Sequence, residues 1–249
     1  MAAQVLGIDV GGSSVKAGKV DVASGRIVGE QCSLPTPRPS TPAALTGVIR
    51  TLAERCGPGR GPVGVAFPSV IKNGVALTAA NIDHGWIGTD AQALAARELG
   101  RPVLFLNDAD AAGLAEVRWG AGRDATGTVI MLTFGTGIGS ALFNHGRLWP
   151  NSEFGHMEVR GMDAEKRASA HVRTAEKLDF PAWAERVNEY LAAMDRLFWP
   201  DLYILGGAVS ERFAEFAPLL RSQAELRPAQ FGNQAGVIGA ALAASDAHP

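Results

Sequence analysis

The sequence predicts an α/β protein built from two similar halves. Two observations carry this expectation. Short apolar, β-branched runs alternate with stretches of helical periodicity along the chain. The segments GIDVGGSSVKAG (7–18) and TFGTGIGSALF (133–143) also share one layout: an apolar strand, a glycine-rich turn with hydroxyls, and a returning strand. With 249 residues, 47% of them hydrophobic, the chain has material for a full core. A net charge of -2 argues against a nucleic-acid partner.

The elements follow in order. Val5–Val10, Val15–Val20 and Arg26–Leu34 are strands separated by Gly11-Gly12-Ser13-Ser14 and Ser24-Gly25, which reads as a β-meander. Pro35-Thr36-Pro37-Arg38-Pro39 is a stiff polar connector. Thr41 then caps a helix with Pro42 at its first position, and Leu45, Val48, Ile49, Leu52, Ala53 and Cys56 lie on its apolar face. Val63–Phe67 is a buried strand, and Asn73-Gly74 marks a hairpin. Thr89 with Gln92 reads as a capping box for a helix ending at Gly100. Pro102–Leu106 is a strand that leads through Asn107-Asp108 into a helix containing Ala111, Leu114, Ala115 and Trp119.

The pattern restarts with strand Val129–Phe134, a glycine turn and strand Ser140–Phe143. Two helices follow, the second with Trp183, Val187, Tyr190, Leu191, Met194 and Phe198 on one face. Tyr203–Leu205 is a strand entering Gly206-Gly207, and a helix begins near Ser210. The last helix starts at Gln234, and its Gly236, Gly239, Ala240 and Ala241 permit close packing on a neighbour. The expected lobes are 1–107 with 230–249, and 108–229.

Cys32 and Cys56 are too few and too far apart for a disulfide framework or a zinc motif, and read as small apolar residues in a reducing compartment. The N-terminal segment lacks the basic flank of a signal peptide, and no apolar run reaches bilayer-spanning length. The expectation is a cytoplasmic protein with no membrane partner.

Chemistry concentrates at a few places. Asp9 ends a strand, and the Gly11-Gly12-Ser13-Ser14 turn offers N–H groups and hydroxyls that suit an anion. Lys16 adds a positive charge if its strand points it inward, and Asp9 is suited to hold a hydrated magnesium ion. The second turn, around Thr136 and Gly137, repeats the design without a charge. Asn107-Asp108 follows a buried strand, where α/β proteins place ligands. A carboxylate there can take a hydroxyl proton, or it can simply cap the next helix, and Asp110 competes for either role. Glu153, His156 and Glu165 form a polar cluster of the kind that pairs sugar hydroxyls; with no cysteine nearby, zinc at His156 is not expected. Asn81 lies in a long loop and is placed to reach a sugar, whereas Trp86 is either a ring platform or core.

The ensemble LGIDVGGSSVKAG, NDADAAGLAE, TFGTGIG, EFGH and ILGGAVS resembles the ROK family of sugar kinases along nearly the whole chain. Within it, ANIDHGWIGTD and LWPNSEFGHMEV resemble the branch that uses inorganic polyphosphate on glucose. The resemblance implies the two-lobed actin-like, hexokinase-like (ribonuclease H-like) ATPase fold. It implies phosphoryl transfer from polyphosphate, and from ATP, to the 6-hydroxyl of glucose with Mg2+, in a homodimer. It further implies Asp108 as catalytic base. Asn81, Asn107, Asp108, Glu153, His156 and Glu165 would hold the sugar, and Asp9, Gly11, Gly12, Ser13, Ser14, Lys16, Thr136, Gly137, Gly206 and Gly207 the phosphates or nucleoside. The family's cysteine-rich zinc motif is absent, and Ala208 stands where a third glycine is usual. The alternatives are an ATP-only glucokinase or N-acetylhexosamine kinase, and a non-catalytic sugar-binding or assembly protein of the same fold. For a long polyanion, Lys19, Lys72, Arg118, Arg123 and Arg147 are candidate contacts, each equally readable as solvated surface.

Overall fold

A computed structural model describes residues 4–57 and 59–248. The chain divides into two compact units. One comprises the chain up to Ala115 together with the segment from Gln234; the other is Glu116–Asn233.

The first unit is built on strands β1 (Gln4–Val10), β2 (Ser14–Asp21), β3 (Arg26–Pro35), β4 (Val63–Phe67) and β7 (Val103–Asn107), in sheet order β3-β2-β1-β4-β7. The meander β1–β2–β3 is antiparallel, and β1, β4 and β7 run parallel. Helix α1 (Pro42–Cys56) is capped by Thr41, whose Oγ1 accepts from Ala44 N–H. β5 (Ile71–Lys72) and β6 (Val75–Ala76) form the expected hairpin, with Asn73 and Gly74 at φ 53° and 82° as a two-residue turn of this hand requires.

Helix α2 (Ala91–Leu99) ends at Gly100 in the left-handed region, as expected, but its start differs. Asp90, not Thr89, is the cap: its Oδ1 accepts from Ala93 N–H at 2.8 Å. Thr89 Oγ1 instead donates to the Gly85 carbonyl, and Gln92 Oε1 accepts from Phe105 N–H at 3.4 Å. The carboxylate one residue later, a stronger N-cap than threonine, takes the role.

Helix α3 (Asp108–Trp119) follows β7, and the boundary between the units falls within its residue range. The second unit carries β8 (Thr128–Phe134), β9 (Ile138–Asn144) and β10 (Arg147–Trp149), the small pair β11 (Glu158–Val159) and β12 (Met162–Asp163), and helices α4 (Glu165–Ala168), α5 (Ala170–Ala175) and α6 (Phe180–Phe198). β13 (Leu202–Gly206) follows, then a 3-10 turn over Ala208–Arg212, α7 (Phe213–Phe216) and β14 (Glu225–Pro228). Its sheet order is β10-β9-β8-β13-β14. Two antiparallel pairings are followed by two parallel ones, the same sequence of pairings as in the first sheet. The short echo between residues 7–18 and 133–143 therefore marks a repeated topology.

Helix α8 (Ala235–Ala247) returns to the first unit. Its small residues are used as the sequence suggested, and so are the strand glycines it meets. A methyl group on Gly7 or Gly64 would collide with the carbonyl oxygens of Val237 and Ala240, and one on Gly239 with that of Ala111. Backbone lies directly on backbone here. In the second unit, Trp183, Val187, Tyr190, Leu191 and Met194 of α6 are fully buried, with Phe198 packed against them. No helix among the described residues is long and apolar enough to cross a membrane.

One expectation is overturned. Cys32 and Cys56 form a disulfide that ties β3 to the end of α1, their Cα atoms 6.0 Å apart. Sequence separation concealed this, because only the fold lays the edge strand beside that helix end.

Candidate functional site

In the first unit the parallel strands end in register. Asp9 pairs with Ala66 and Phe67 with Asn107, so the carboxyl ends of β1, β4 and β7 lie along one edge of the sheet. Asp9 and Asn107 are about 10 Å apart by strand spacing. The first glycine turn and the start of α3 therefore leave from the edge where α/β sheets bind ligands.

The turn is held tightly. Gly11 N–H donates to the Ser14 carbonyl at 3.0 Å. Thr36 Oγ1 donates to the Gly11 carbonyl at 2.6 Å, and Thr36 N–H donates to the Ser13 carbonyl at 3.1 Å. Thr36 lies 25 residues from Gly11, so no local pattern marks it as the clamp. Pro35 is the last residue of β3, paired with Ser14, and not the start of a free connector. Gly12 and Ser13 are exposed, and a methyl on Gly12 would meet nothing within 4 Å, so ligand can approach its backbone.

Asp9 and Lys16 are cross-strand partners. Burial pushes the Asp9 carboxyl up from 3.8 to about 6, and Lys16 pulls partly the other way. Gly236 of α8 packs on this carboxylate; a methyl there would lie 2.7 Å from Asp9 Cγ. A magnesium ion takes one or two carboxylates and fills its shell with phosphate and water oxygens. A single, poorly solvated carboxylate beside an open turn fits that donor set.

Asn107 is the cap of α3. Its Oδ1 accepts from Ala109 and Asp110 N–H at 2.9 and 3.1 Å, and its Nδ2 donates to the Ser69 carbonyl at 3.3 Å. The cap role weighed for Asp108 thus falls to its neighbour. Asp108, half-buried, accepts from Ala109 N–H at 2.8 Å. Asp110 is buried. Asn81 is exposed. Trp86 is core: fully buried, edge-on to Phe67, with its indole N–H on the Ser40 carbonyl at 2.9 Å.

The second unit assembles the rest of its predicted residues. Gly135 N–H donates to the Gly137 carbonyl, closing a turn one residue shorter than the first, and His171 N–H braces the Gly135 carbonyl, both at 3.0 Å. Glu165 Oε2 packs against Gly137 where a methyl would lie, so a side chain there would displace this carboxylate. The same carboxylate accepts from Ile138 N–H at 3.3 Å. The acid and the turn, read separately from sequence, are therefore one assembly, with Thr136 exposed at its tip.

His156 sits among three carboxylates. Its Nε2 is 3.9 Å from Glu153, and its Nδ1 is 3.6 Å from Asp163 and 3.9 Å from Glu165. Burial raises the Glu153 pKa, His156 opposes this and Glu165 adds to it. Asp163, which the sequence did not single out, is held low by the Lys166 ammonium at 3.0 Å. His156, Asp163 and Glu165 each offer a ligand atom within 4.8 Å of the others. Glu165 belongs to the cluster expected from sequence; Asp163 is the addition.

Gly206 and Gly207 close β13. Gly207 has φ 84°, and a methyl on it would strike the Phe134 backbone. Its smallness has a packing reason that holds with or without a nucleoside. Of the basic candidates, Arg123 is paired with Asp124 at 3.5 Å, and the five are divided between the two units.

Comparison with known proteins agrees along the chain's length. The ROK family pattern matches residues 5–169. A polyphosphate glucokinase from Mycobacterium tuberculosis (strain CDC 1551 / Oshkosh) is 48% identical over 239 residues, covering 96% of this chain and 90% of that protein. The crystal structure of an inorganic polyphosphate/ATP-glucomannokinase from Arthrobacter sp. strain KM is 42% identical, with a TM-score of 0.94 over 99% of this chain and 100% of that one. A ROK family glucokinase from Streptomyces griseus, crystallised with glucose and AMPPNP, is 26% identical, with a TM-score of 0.82 over 98% of this chain and 100% of its own. The chain belongs to the ROK family.

Proposed function

We propose that this chain is a glucokinase that moves a phosphoryl group from inorganic polyphosphate, and from ATP, to the 6-hydroxyl of glucose. The observation that carries this reading is the likeness to a polyphosphate glucokinase, 48% identical over 96% of the chain.

Chemically, the glucose oxygen attacks the donor's terminal phosphorus while Asp108 takes its proton. Asn81, Asn107, Glu153, His156 and Glu165 pair the remaining hydroxyls, and leaving such groups unpaired is what rejects poorer sugars. The groups we assign to the donor's phosphate oxygens are, in the first unit, the turn N–H groups with Ser13, Ser14 and Lys16, and in the second unit the turn that carries Thr136. Gly206 and Gly207 lie beside the nucleoside when ATP is the donor. Asp9 would hold magnesium through water, and the ion would neutralise charge on the donor's oxygens.

We also read the protein as a homodimer, supported by Trp149, Leu197 and Trp199 standing exposed on the second unit. A sedimentation mass of a single 26.0 kDa chain would contradict it. We also place it in the cytoplasm, where ATP is available as a donor, although a disulfide such as Cys32–Cys56 is uncommon there.

The test is a coupled assay of glucose 6-phosphate formation by the purified protein. Turnover with polyphosphate alone as donor is expected. Turnover with ATP only, or with an N-acetylhexosamine in place of glucose, would replace this reading by its alternatives.

A further inference from the structure

A cavity of about 290 Å³ in the first unit is lined by Gly12 of the glycine turn, by Thr36, Arg38 and Ser40 of the proline-rich segment, and by Asn81 and Asp83. It joins the turn read as a phosphate site to the loop read as a sugar site. Its single basic side chain is Arg38.

The segment that carries Arg38 is anchored at both ends. Thr36 is bonded to Gly11 and Ser13 of the turn. Ser40 Oγ accepts from Asp83 N–H at 3.1 Å, and the Ser40 carbonyl accepts the Trp86 indole at 2.9 Å. Pro37 and Pro39 fix the backbone on either side of the arginine. The backbone beneath the exposed arginine is therefore already ordered, and only its side chain has rotamers to lose on binding. Among the described residues its guanidinium has no ion pair or hydrogen bond. The one acid in the cavity, Asp83, has Oδ1 committed to Gly85 N–H at 2.8 Å.

We propose that Arg38 is a catalytic residue that binds the phosphoryl group in transit between donor and glucose. This rests on the kinase reading above. In the step, a bond forms from the glucose 6-oxygen to the terminal phosphorus. The bond from that phosphorus to the bridging oxygen breaks, and its electron pair leaves with the shortened polyphosphate or ADP. The hydroxyl proton goes to Asp108. Midway, negative charge is spread over the three equatorial oxygens of the moving group, and a guanidinium fork matches two of them at once.

The test compares the unsubstituted protein with Arg38→Ala and Arg38→Lys, measuring kcat and KM with polyphosphate and with ATP at saturating glucose, then KM for glucose. Arg38→Ala is expected to lower kcat by about 100-fold or more with both donors. KM for glucose should stay within about twofold and the melting temperature unchanged, since the side chain is exposed. Arg38→Lys should recover only part of the rate, because an ammonium cannot grip two oxygens. An unchanged kcat overturns the proposal, and so does a loss confined to KM for polyphosphate, which would make Arg38 a contact for the rest of the polymer. Absence of any transfer by the unsubstituted protein removes the kinase reading and this assignment together; normal turnover by Arg38→Ala removes only the assignment.

Discussion

Replacing Asp9 by asparagine should stabilise this protein while disabling it. The carboxylate lies at the end of β1 under Gly236 of α8, and burial raises its pKa from 3.8 to about 6. The sign follows from proton binding. Between those two values the folded protein holds more protons at Asp9 than the unfolded chain does. Stability contributed by this group is therefore fully present below 3.8 and lost as pH rises through about 6. At 1.36 kcal/mol per pKa unit, the charged form costs at most about 3 kcal/mol at neutral pH. That cost is already net of the attraction of Lys16, so asparagine, which keeps the shape but must bury its own amide, leaves a gain of about 1–3 kcal/mol. For a chain of this size that corresponds to a melting-temperature rise of about 3–10 °C. The assay is a pair of melts at pH 7.5 and pH 4.5, with turnover measured beside them. The variant should melt higher at pH 7.5, lose most of that advantage at pH 4.5, and lose at least about 100-fold in kcat. An equal or lower melting temperature at pH 7.5, or the same gain at both pH values, would refute the reasoning. The charge would then be adequately solvated, and Asp9 would carry no stability cost to explain.

Two further predictions concern long-range ties. Glu116 is fully buried and accepts from Ala121, Gln230 and Phe231 N–H at 2.9, 2.7 and 2.8 Å, so Glu116→Ala leaves one buried and two partly buried donors without their acceptor and should cost about 2–4 kcal/mol by chemical denaturation; a loss under about 1 kcal/mol would mean water replaces the carboxylate. Opening Cys32–Cys56, with a sequence separation of 24, should cost about 3 kcal/mol, so Cys32→Ser and a reducing agent should lower the melting temperature equally and not additively.

What could be read from the sequence was local. Asn73-Gly74, the Thr41-Pro42 helix start and the left-handed Gly100 are fixed by neighbours in the chain, so residue type was enough. The glycine turns were legible for the same reason, and their shared layout extended to the pairing order of both sheets. The features that escaped depend on distant chain. Thr36 clamps a turn 25 residues away, and Glu116 collects donors 114 and 115 residues on. Cys32 meets Cys56 only because β3 lies beside α1. Glu165 and Gly137, named for different roles, occupy each other's space, which no spacing rule anticipates. At Thr89 and Asp90 the deciding feature is local: the Thr89–Gln92 spacing matches a capping box, but the aspartate is the better cap and holds the Ala93 N–H.

The account's central claim is that Asp108 receives the hydroxyl proton of glucose. Asp108→Asn tests it most directly, with kcat for glucose phosphorylation and the glucose dissociation constant measured on the same preparation. The account predicts that kcat falls by about 10²–10⁴-fold while glucose affinity stays within about twofold. A kcat within a few-fold of the unsubstituted protein would contradict it.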